Sequence, residues 1–159
     1  MMKPARYLQL KHSIEIRTTP DKIWEFFLHL DTNYVPWHPQ DHVLFRWEKG
    51  TPLTEGSSFY AEQYANGKLT KYKTTCGEIV KHRKITLEFR FPISLISPRI
   101  EWLIEPKGKT TEFTAITYMR FGILLQRVFK KEMRQLIESH DEHVAAEGEN
   151  LKRILEKTQ

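Results

Sequence analysis

Hydrophobic positions recur at two different periods along this chain, and the change of period divides it. Between His42 and Phe121 the spacing is two. Val43, Phe45 and Trp47 alternate with polar neighbours as far as Lys49-Gly50, the pattern of a half-buried strand. Residues 57–64 and Lys68–Val80 form the next pair of strands, joined at Ala65-Asn66-Gly67, a hairpin signal. Further strands are predicted over 85–91, 99–105 and 110–121, the last two joined at Lys107-Gly108-Lys109. Residues 7–18 alternate more loosely and read as an opening strand. After it, Thr19-Pro20-Asp21 supplies a hydroxyl cap, a proline at the first helical position and an acid in the first turn. A short helix follows to about Leu30, with Ile23, Trp24, Phe27 and Leu30 on its apolar face. The proline-rich stretch 31–41 is expected to be a turn or a short broken helix. Residues 91–100 are an apolar loop holding Pro92, Ile93, Leu95, Ile96 and Pro98.

From residue 127 to 157 the period lengthens to that of a helix. Its stripe is Leu136, His140, His143, Glu147, Leu151 and Ile154, all on one face. The ends of the stripe are aliphatic and its middle is two imidazoles and a carboxylate. A strand, short helices, six antiparallel strands and a long terminal helix predict an α+β fold. A strongly curved antiparallel sheet would wrap the helix and leave a cavity between them. The alternative is a helix that fills that space. The polar middle of the stripe favours the cavity, because a tightly packed core excludes such groups.

Composition narrows the function. At 159 residues and 19.0 kDa the chain suits one domain spanning 1–159. The net charge of +5 is spread along the chain in runs no longer than two, with no nucleic-acid motif. This predicts a solvated basic surface and no nucleic-acid partner. Cys76 is the only cysteine, which excludes an intrachain disulfide and a thiolate zinc site and points to a reducing compartment. Residues 1–9 hold no apolar signal core, and no window reaches the length of a membrane span. A cytoplasmic protein without stable membrane insertion is expected. The run Ile123-Leu124-Leu125, with Val128 and Phe129, is read as packing.

An unpaired carboxylate on a buried stripe costs several kcal/mol, so Glu147 must be neutralised, paired or bound to a cation. His143 and Glu147 stand one turn apart, the spacing at which two side chains hold one metal ion. The same spacing also suits a plain ion pair at a solvated edge. Further donors lie in Tyr34-Val35-Pro36-Trp37-His38-Pro39-Gln40-Asp41-His42, with two histidines and an aspartate within five residues. The alternative there is solvated loop histidines and Trp37 as a core plug. Glu62 shares a strand face with Tyr60 and Tyr64. It joins the site if that face is inward and is a surface carboxylate otherwise.

The order of these elements, with Thr19-Pro20-Asp21-Lys22-Ile23-Trp24-Glu25, the tryptophan-bearing loop and the long terminal helix, resembles the START/Bet v 1-like superfamily, the helix-grip fold. The resemblance covers nearly the whole chain. Within it, Tyr34, Trp37-His38-Pro39 and Asp41-His42 together with His143-x-x-x-Glu147 are similar to the diacetylphloroglucinol hydrolase branch. That resemblance implies zinc, or another divalent metal, between two histidines and two glutamates, and cleavage of a carbon–carbon bond. Carried over by position, it implies His42, Glu62, His143 and Glu147 as metal ligands, with His38 as the alternative to His42. The chain is shorter than those hydrolases, and the substrate does not carry over.

Two functions follow as expectations. One is a zinc-dependent hydrolase acting on a small aromatic ketone or β-dicarbonyl compound. In it His38 or His140 shuttles the proton, and Tyr60, with Tyr34 and Tyr64, orients a phenolic oxygen. Tyr34, Trp37 and Tyr64 line the ligand site. The other is a carrier of a small hydrophobic or aromatic ligand or lipid, with the 91–100 loop as a lid. The fold alone does not choose between them.

Overall fold

The computed structural model describes residues 7–120, 122 and 127–157. Seven strands form one antiparallel sheet: β1 (Tyr7–Ile16), β2 (His42–Lys49), β3 (Ser58–Ala65), β4 (Lys68–Val80), β5 (Lys84–Phe89), β6 (Arg99–Lys107) and β7 (Thr110–Arg120). Their order is β1-β7-β6-β5-β4-β3-β2. Only β1 is out of sequence, paired along its length with β7 from Tyr7 opposite Arg120 to Ile16 opposite Thr111. The chain crosses from β1 to the far edge of the sheet through two short helices, α1 (Pro20–Leu28) and α2 (Leu30–Trp37), and ends in the long helix α3 (Lys130–Lys157).

Local chemistry sets these boundaries. Thr19 caps α1, its hydroxyl accepting from the Lys22 amide at 3.4 Å, and Pro20 opens the first turn. Asn66 and Gly67 both take positive φ, 51° and 76°, the geometry of a two-residue hairpin loop matched to the twist of its strands. The proline-rich stretch is more regular than its composition suggests. It is helical over Leu30–Trp37, separated from α1 by His29 alone. Pro36 sits in the last turn, where it cannot donate to the carbonyl four residues back, and the helix ends one residue later.

The core lies under α1, α2 and the C-terminal half of α3. The Phe27 ring stacks on Trp102 at 4.4 Å and lies 5.4 Å from Phe113. Trp37 meets Phe26, Phe27 and Trp102 edge-on. Leu151 and Leu155 close this layer from α3. Before Gly148, no described residue of α3 is fully buried. There the helix stands off the sheet, and a cavity opens beneath it.

The apolar loop after β5 holds one short 3-10 turn, Ile93–Leu95. It folds beside the end of β7, where the Arg120 amide donates to the Ile96 carbonyl at 2.7 Å. Ile93 and Ile96 reach the cavity wall, while Phe91 and Leu95 project to solvent. Residues 123–125 lie outside the described residues, but Val128 and Phe129 beside them are exposed rather than packed.

Candidate ligand cavity and imidazole–carboxylate cluster

The cavity holds about 460 Å³ between the inner face of the sheet and the first half of α3. Its walls are mostly apolar, including Phe45, Phe59, Leu87, Ile100, Trp102 and Val144. Two polar groups interrupt them. One is the helix stripe, His140, His143 and Glu147. The other is a trio of side chains at the β2–β3–β4 end, Tyr34, Gln63 and Tyr72.

In the trio, the Tyr34 hydroxyl donates to Gln63 Oε1 at 2.8 Å and the Tyr72 hydroxyl to the same atom at 3.2 Å. The two hydroxyl oxygens are 3.1 Å apart. Burial pushes the pKa of both phenols up, and Glu147 adds to the effect, so both stay protonated at any ordinary pH. They are fixed hydrogen-bonding groups and not bases.

The cluster is built from α2, the start of β2 and α3. His42 is buried, with its ring 3.9 Å from Tyr34 and parallel to it. His42 Nδ1 meets the Tyr34 carbonyl at 2.7 Å and Nε2 meets Glu147 Oε1 at 2.8 Å. His143 Nε2 reaches the same Glu147 oxygen at 2.8 Å, and its Nδ1 lies 2.8 Å from Asp41 Oδ2. Asp41 in turn contacts His38 Nε2 at 3.1 Å, and His38 Nδ1 accepts from the Asn150 amide at 3.1 Å. The backbone holds these positions. The Trp37 indole N–H donates to the Glu147 carbonyl at 2.8 Å, and the Tyr64 amide donates to the Asp41 carbonyl at 2.8 Å.

This geometry decides where hydrogens sit. A carbonyl accepts, so His42 Nδ1 carries its proton, and Nε2 then faces a carboxylate oxygen. His143 has a carboxylate on each side. Neutral imidazoles would direct a lone pair at Glu147 from at least one of these rings. The site therefore holds protons or a cation between the rings and Glu147. Without a metal, burial works against the charged imidazole of His143, but Glu147 and Asp41 overcome it and push its pKa up to about 9. Glu147 is held well below the usual carboxylate range despite its burial, by His143 and His42. Asp41 is lowered, against its own burial, by His143 and His38. His140 is different: burial lowers it, and its Nε2 sits 2.8 Å from the Thr117 hydroxyl.

Three donor atoms, His42 Nε2, His143 Nε2 and a Glu147 oxygen, lie within 4.8 Å of one another, as do those of His38, Asp41 and His143. The first set fits a divalent metal in donor type and in its surroundings. In each ligating imidazole the far nitrogen is committed to an acceptor, a carbonyl for His42 and a carboxylate for His143. That arrangement orients metal-bound histidines. Three protein donors leave a position free, the count of a catalytic rather than a structural zinc site.

His42 meets His143 and Glu147 of the helix stripe, and His38 joins through Asp41. Trp37 is both a core plug and part of the cavity wall. Glu62 and Tyr60 do not join. They sit on the outer face of β3, where the Tyr60 hydroxyl donates to Glu62 Oε1 at 2.6 Å, Lys71 Nζ is 4.0 Å away, and the Arg46 guanidinium covers the Tyr60 ring at 4.3 Å. Glu62 is thus no metal ligand and Tyr60 no catalytic group in this fold. Phe59 and Ala61 are the buried phase of the strand, and strand alternation turns Glu62 outward. Tyr64 is an exposed residue at the outer rim, beside the β3–β4 hairpin. Gln63, Tyr72, Asn150 and Thr117 were not singled out by the sequence. For Gln63 the signal was available, since it follows Phe59 and Ala61 on the apolar phase of β3.

No family model matches the chain, and no curated protein matches it by sequence. Solved structures do match. Norcoclaurine synthase from Thalictrum flavum superposes with a TM-score of 0.74 at 13% identity, over 99% of both chains. The aromatase/cyclase (ARO/CYC) StfQ, a di-domain protein of the steffimycin biosynthetic pathway, superposes with a TM-score of 0.70 at 10% identity, over 96% of this chain and 51% of its own. Ara h 8.0201 gives 0.55 at 9% identity, over 92% and 99%. The fold is the Bet v 1-like helix-grip fold. At these identities the likeness carries the architecture, and the site has to be read from this chain's own residues.

Proposed function

We propose that this protein binds a small, mostly aromatic molecule carrying a hydroxyl or carbonyl oxygen. The carrying observation is the cavity's asymmetry: apolar walls, with fixed polar groups gathered at the Tyr34–Gln63–Tyr72 end and along the helix stripe. An apolar ring system gains from the walls, and a few placed polar groups set its orientation. The trio shares two hydroxyl hydrogens among three oxygens and so keeps lone pairs for a ligand hydroxyl. Norcoclaurine synthase was solved with dopamine and hydroxybenzaldehyde, both aromatic compounds with phenolic oxygens, on the same architecture. The test is titration with 2-naphthol and with naphthalene. The phenol is expected to bind several-fold more tightly, and Tyr72→Phe to narrow that gap, by about 0.5–1.5 kcal/mol for one hydrogen bond. Binding of neither compound, or equal binding to an Ala115→Trp variant whose cavity is filled, would remove the reading.

A second reading is favoured by the two imidazoles that present Nε2 to one carboxylate oxygen. His42, His143 and Glu147 would hold a divalent metal, zinc by donor type. Such an ion supplies Lewis-acid polarisation of a carbonyl and acidification of a bound water. Hydrolysis of an aromatic ketone or β-dicarbonyl compound rests on that ion. Trio hydroxyls would orient the substrate oxygen, and His140, held by Thr117, stands at the cavity wall as a neutral proton acceptor. Protein purified without chelator should carry close to one equivalent of zinc, and none should remain in His42→Ala. Less than a tenth of an equivalent, with no uptake on titration, leaves the binding reading alone.

A further inference from the structure

The cavity is bounded at one end by the loop between β5 and β6, and this loop is apolar on both sides. Ile93 and Ile96 line the cavity. Phe91 is 77% exposed, Leu95 58% and Ile96 47%. Isolated exposed leucines are ordinary, but three bulky apolar groups on one six-residue tip form a surface that water does not favour. Val128 and Phe129, exposed near the start of α3, add two more at the end of the chain segment that follows β7. The loop is tied to the same end of β7 by the Arg120–Ile96 backbone hydrogen bond.

Exposed cations predominate in the two segments at this end. No Asp or Glu occurs from residue 89 to 100 or from 113 to 131. Those two segments hold Arg90, Arg99, Arg120, Arg127, Lys130 and Lys131. Arg90, Arg120, Arg127, Lys130 and Lys131 are exposed. Arg99 is engaged with Glu101 at 3.5 Å and is the least available. Bulky apolar groups flanked by exposed cations are what an anionic lipid surface takes up. The apolar groups enter the headgroup boundary, and each cation adds attraction to the negative leaflet. A protein partner would need an acidic apolar groove to match a protruding tip, whereas a bilayer accommodates the tip without one.

We infer that the 91–96 loop, with the start of α3, docks this protein on an anionic lipid bilayer, so that the mouth of the cavity faces the membrane. No described helix is long and apolar enough to cross a membrane, and docking of this kind is peripheral and reversible. The consequence for ligand access rests on the binding function proposed above: an apolar aromatic molecule partitions into the bilayer and would be taken from there. The docking itself does not require a ligand, and the two are tested apart.

Purified full-length protein, with no ligand added, is sedimented with vesicles of pure phosphatidylcholine and of phosphatidylcholine with about 30% phosphatidylserine. At about 0.1 M salt the anionic vesicles should bind roughly tenfold or more tightly than the neutral ones. Raising salt to about 0.5 M should remove most of that difference by screening. The double variant Phe91→Asp/Leu95→Asp should lose the binding roughly tenfold or more, because it removes apolar insertion and adds repulsion. Lys130→Glu/Lys131→Glu should lose it to a similar degree with the apolar tip intact. All four side chains are exposed, and thermal unfolding of each variant with the wild-type midpoint checks that the fold is intact. Absence of vesicle binding by the wild type overturns the inference, as does binding that either variant leaves unchanged. A self-associating wild type that Phe91→Asp/Leu95→Asp turns into a monomer, with no vesicle binding by either, assigns the surface to a second copy of this chain instead. Vesicle binding with no 2-naphthol binding would leave the docking standing and remove the ligand reading.

Discussion

One helix covers two unlike halves of the same concave sheet. Under the second half of α3, Leu151 and Leu155 meet Ile16, Phe27 and Phe113 in a packed aromatic and aliphatic layer. Under the first half, the same helix presents His140, His143 and Glu147 to a cavity. The difference lies in what α1 and α2 fill. Their aromatic rings occupy one end of the concavity and leave the other open, so polar side chains at the open end meet each other and ligand space. Burial of charge is tolerated there because every charged group has a partner within hydrogen-bond reach. The packed half holds the helix in place, and the open half supplies the site.

The sharpest way to break this comparison is to truncate one leucine on each side. Leu151→Ala in the packed half should cost about 2–5 kcal/mol, the loss of buried methylenes plus an unfilled cavity. Leu136→Ala, at the cavity mouth and only part-buried, should cost under about 1 kcal/mol, since its surroundings are already open. Ligand titration should show the reverse order, with Leu136→Ala changing 2-naphthol affinity and Leu151→Ala leaving it near wild type. Denaturant unfolding with a common m-value checks the first pair of numbers. Equal costs would mean that the first half of α3 is packed after all.

The same division explains what the sequence made legible. Element order, the seven strands and the helix stripe follow from apolar period and turn residues, which are local signals. The polar middle of the stripe was also readable, because three polar side chains between leucines break a core pattern. Which partners it meets was less so. His42 opens a strand and sits by chance of topology opposite a helix more than a hundred residues away. Its agreement with the expected ligand set came from resemblance and not from spacing. Glu62 was misplaced by one residue of phase: Tyr60, Glu62 and Tyr64 alternate as regularly as Phe59, Ala61 and Gln63, and only burial decides between them. The proline-rich stretch was under-read for a different reason. A proline stops a helix near its own position and leaves the turns before it free to form, so Pro36 ends α2 without forbidding it. Asp41 was visible among the donors of its loop, but its place between His38 and His143 depends on the turn that joins α2 to β2.

A smaller effect tests the cluster itself. In the metal-free protein His143 is held charged by Glu147 and Asp41, with a pKa near 9 against about 6.5 for a free imidazole. A base whose folded pKa is raised binds more protons in the native state. Its contribution to stability is complete below about pH 6.5 and is lost as pH rises through about 9. The shift corresponds to on the order of 3 kcal/mol, shared with the matching depression of Glu147, and the two are one interaction counted once. Glu147 sets the acid limit with the opposite sign, its contribution present above the usual carboxylate range and lost as pH falls below it. With chelator present, wild-type stability should therefore fall between about pH 6.5 and 9 relative to His143→Gln, which has no proton to lose there. Zinc should change the shape of the curve as well as its height. A metal replaces the proton between the rings and Glu147, so the alkaline loss should disappear in zinc, while zinc's own stabilisation should weaken towards acid as protons compete for the imidazoles. The measurement is thermal or denaturant unfolding of both proteins across that range, with chelator and with excess zinc. A wild-type curve parallel to that of His143→Gln in chelator would mean that His143 is neutral and that Glu147 and Asp41 are compensated by some other group. An alkaline loss that persists in zinc would mean that the proton and the metal do not share a site.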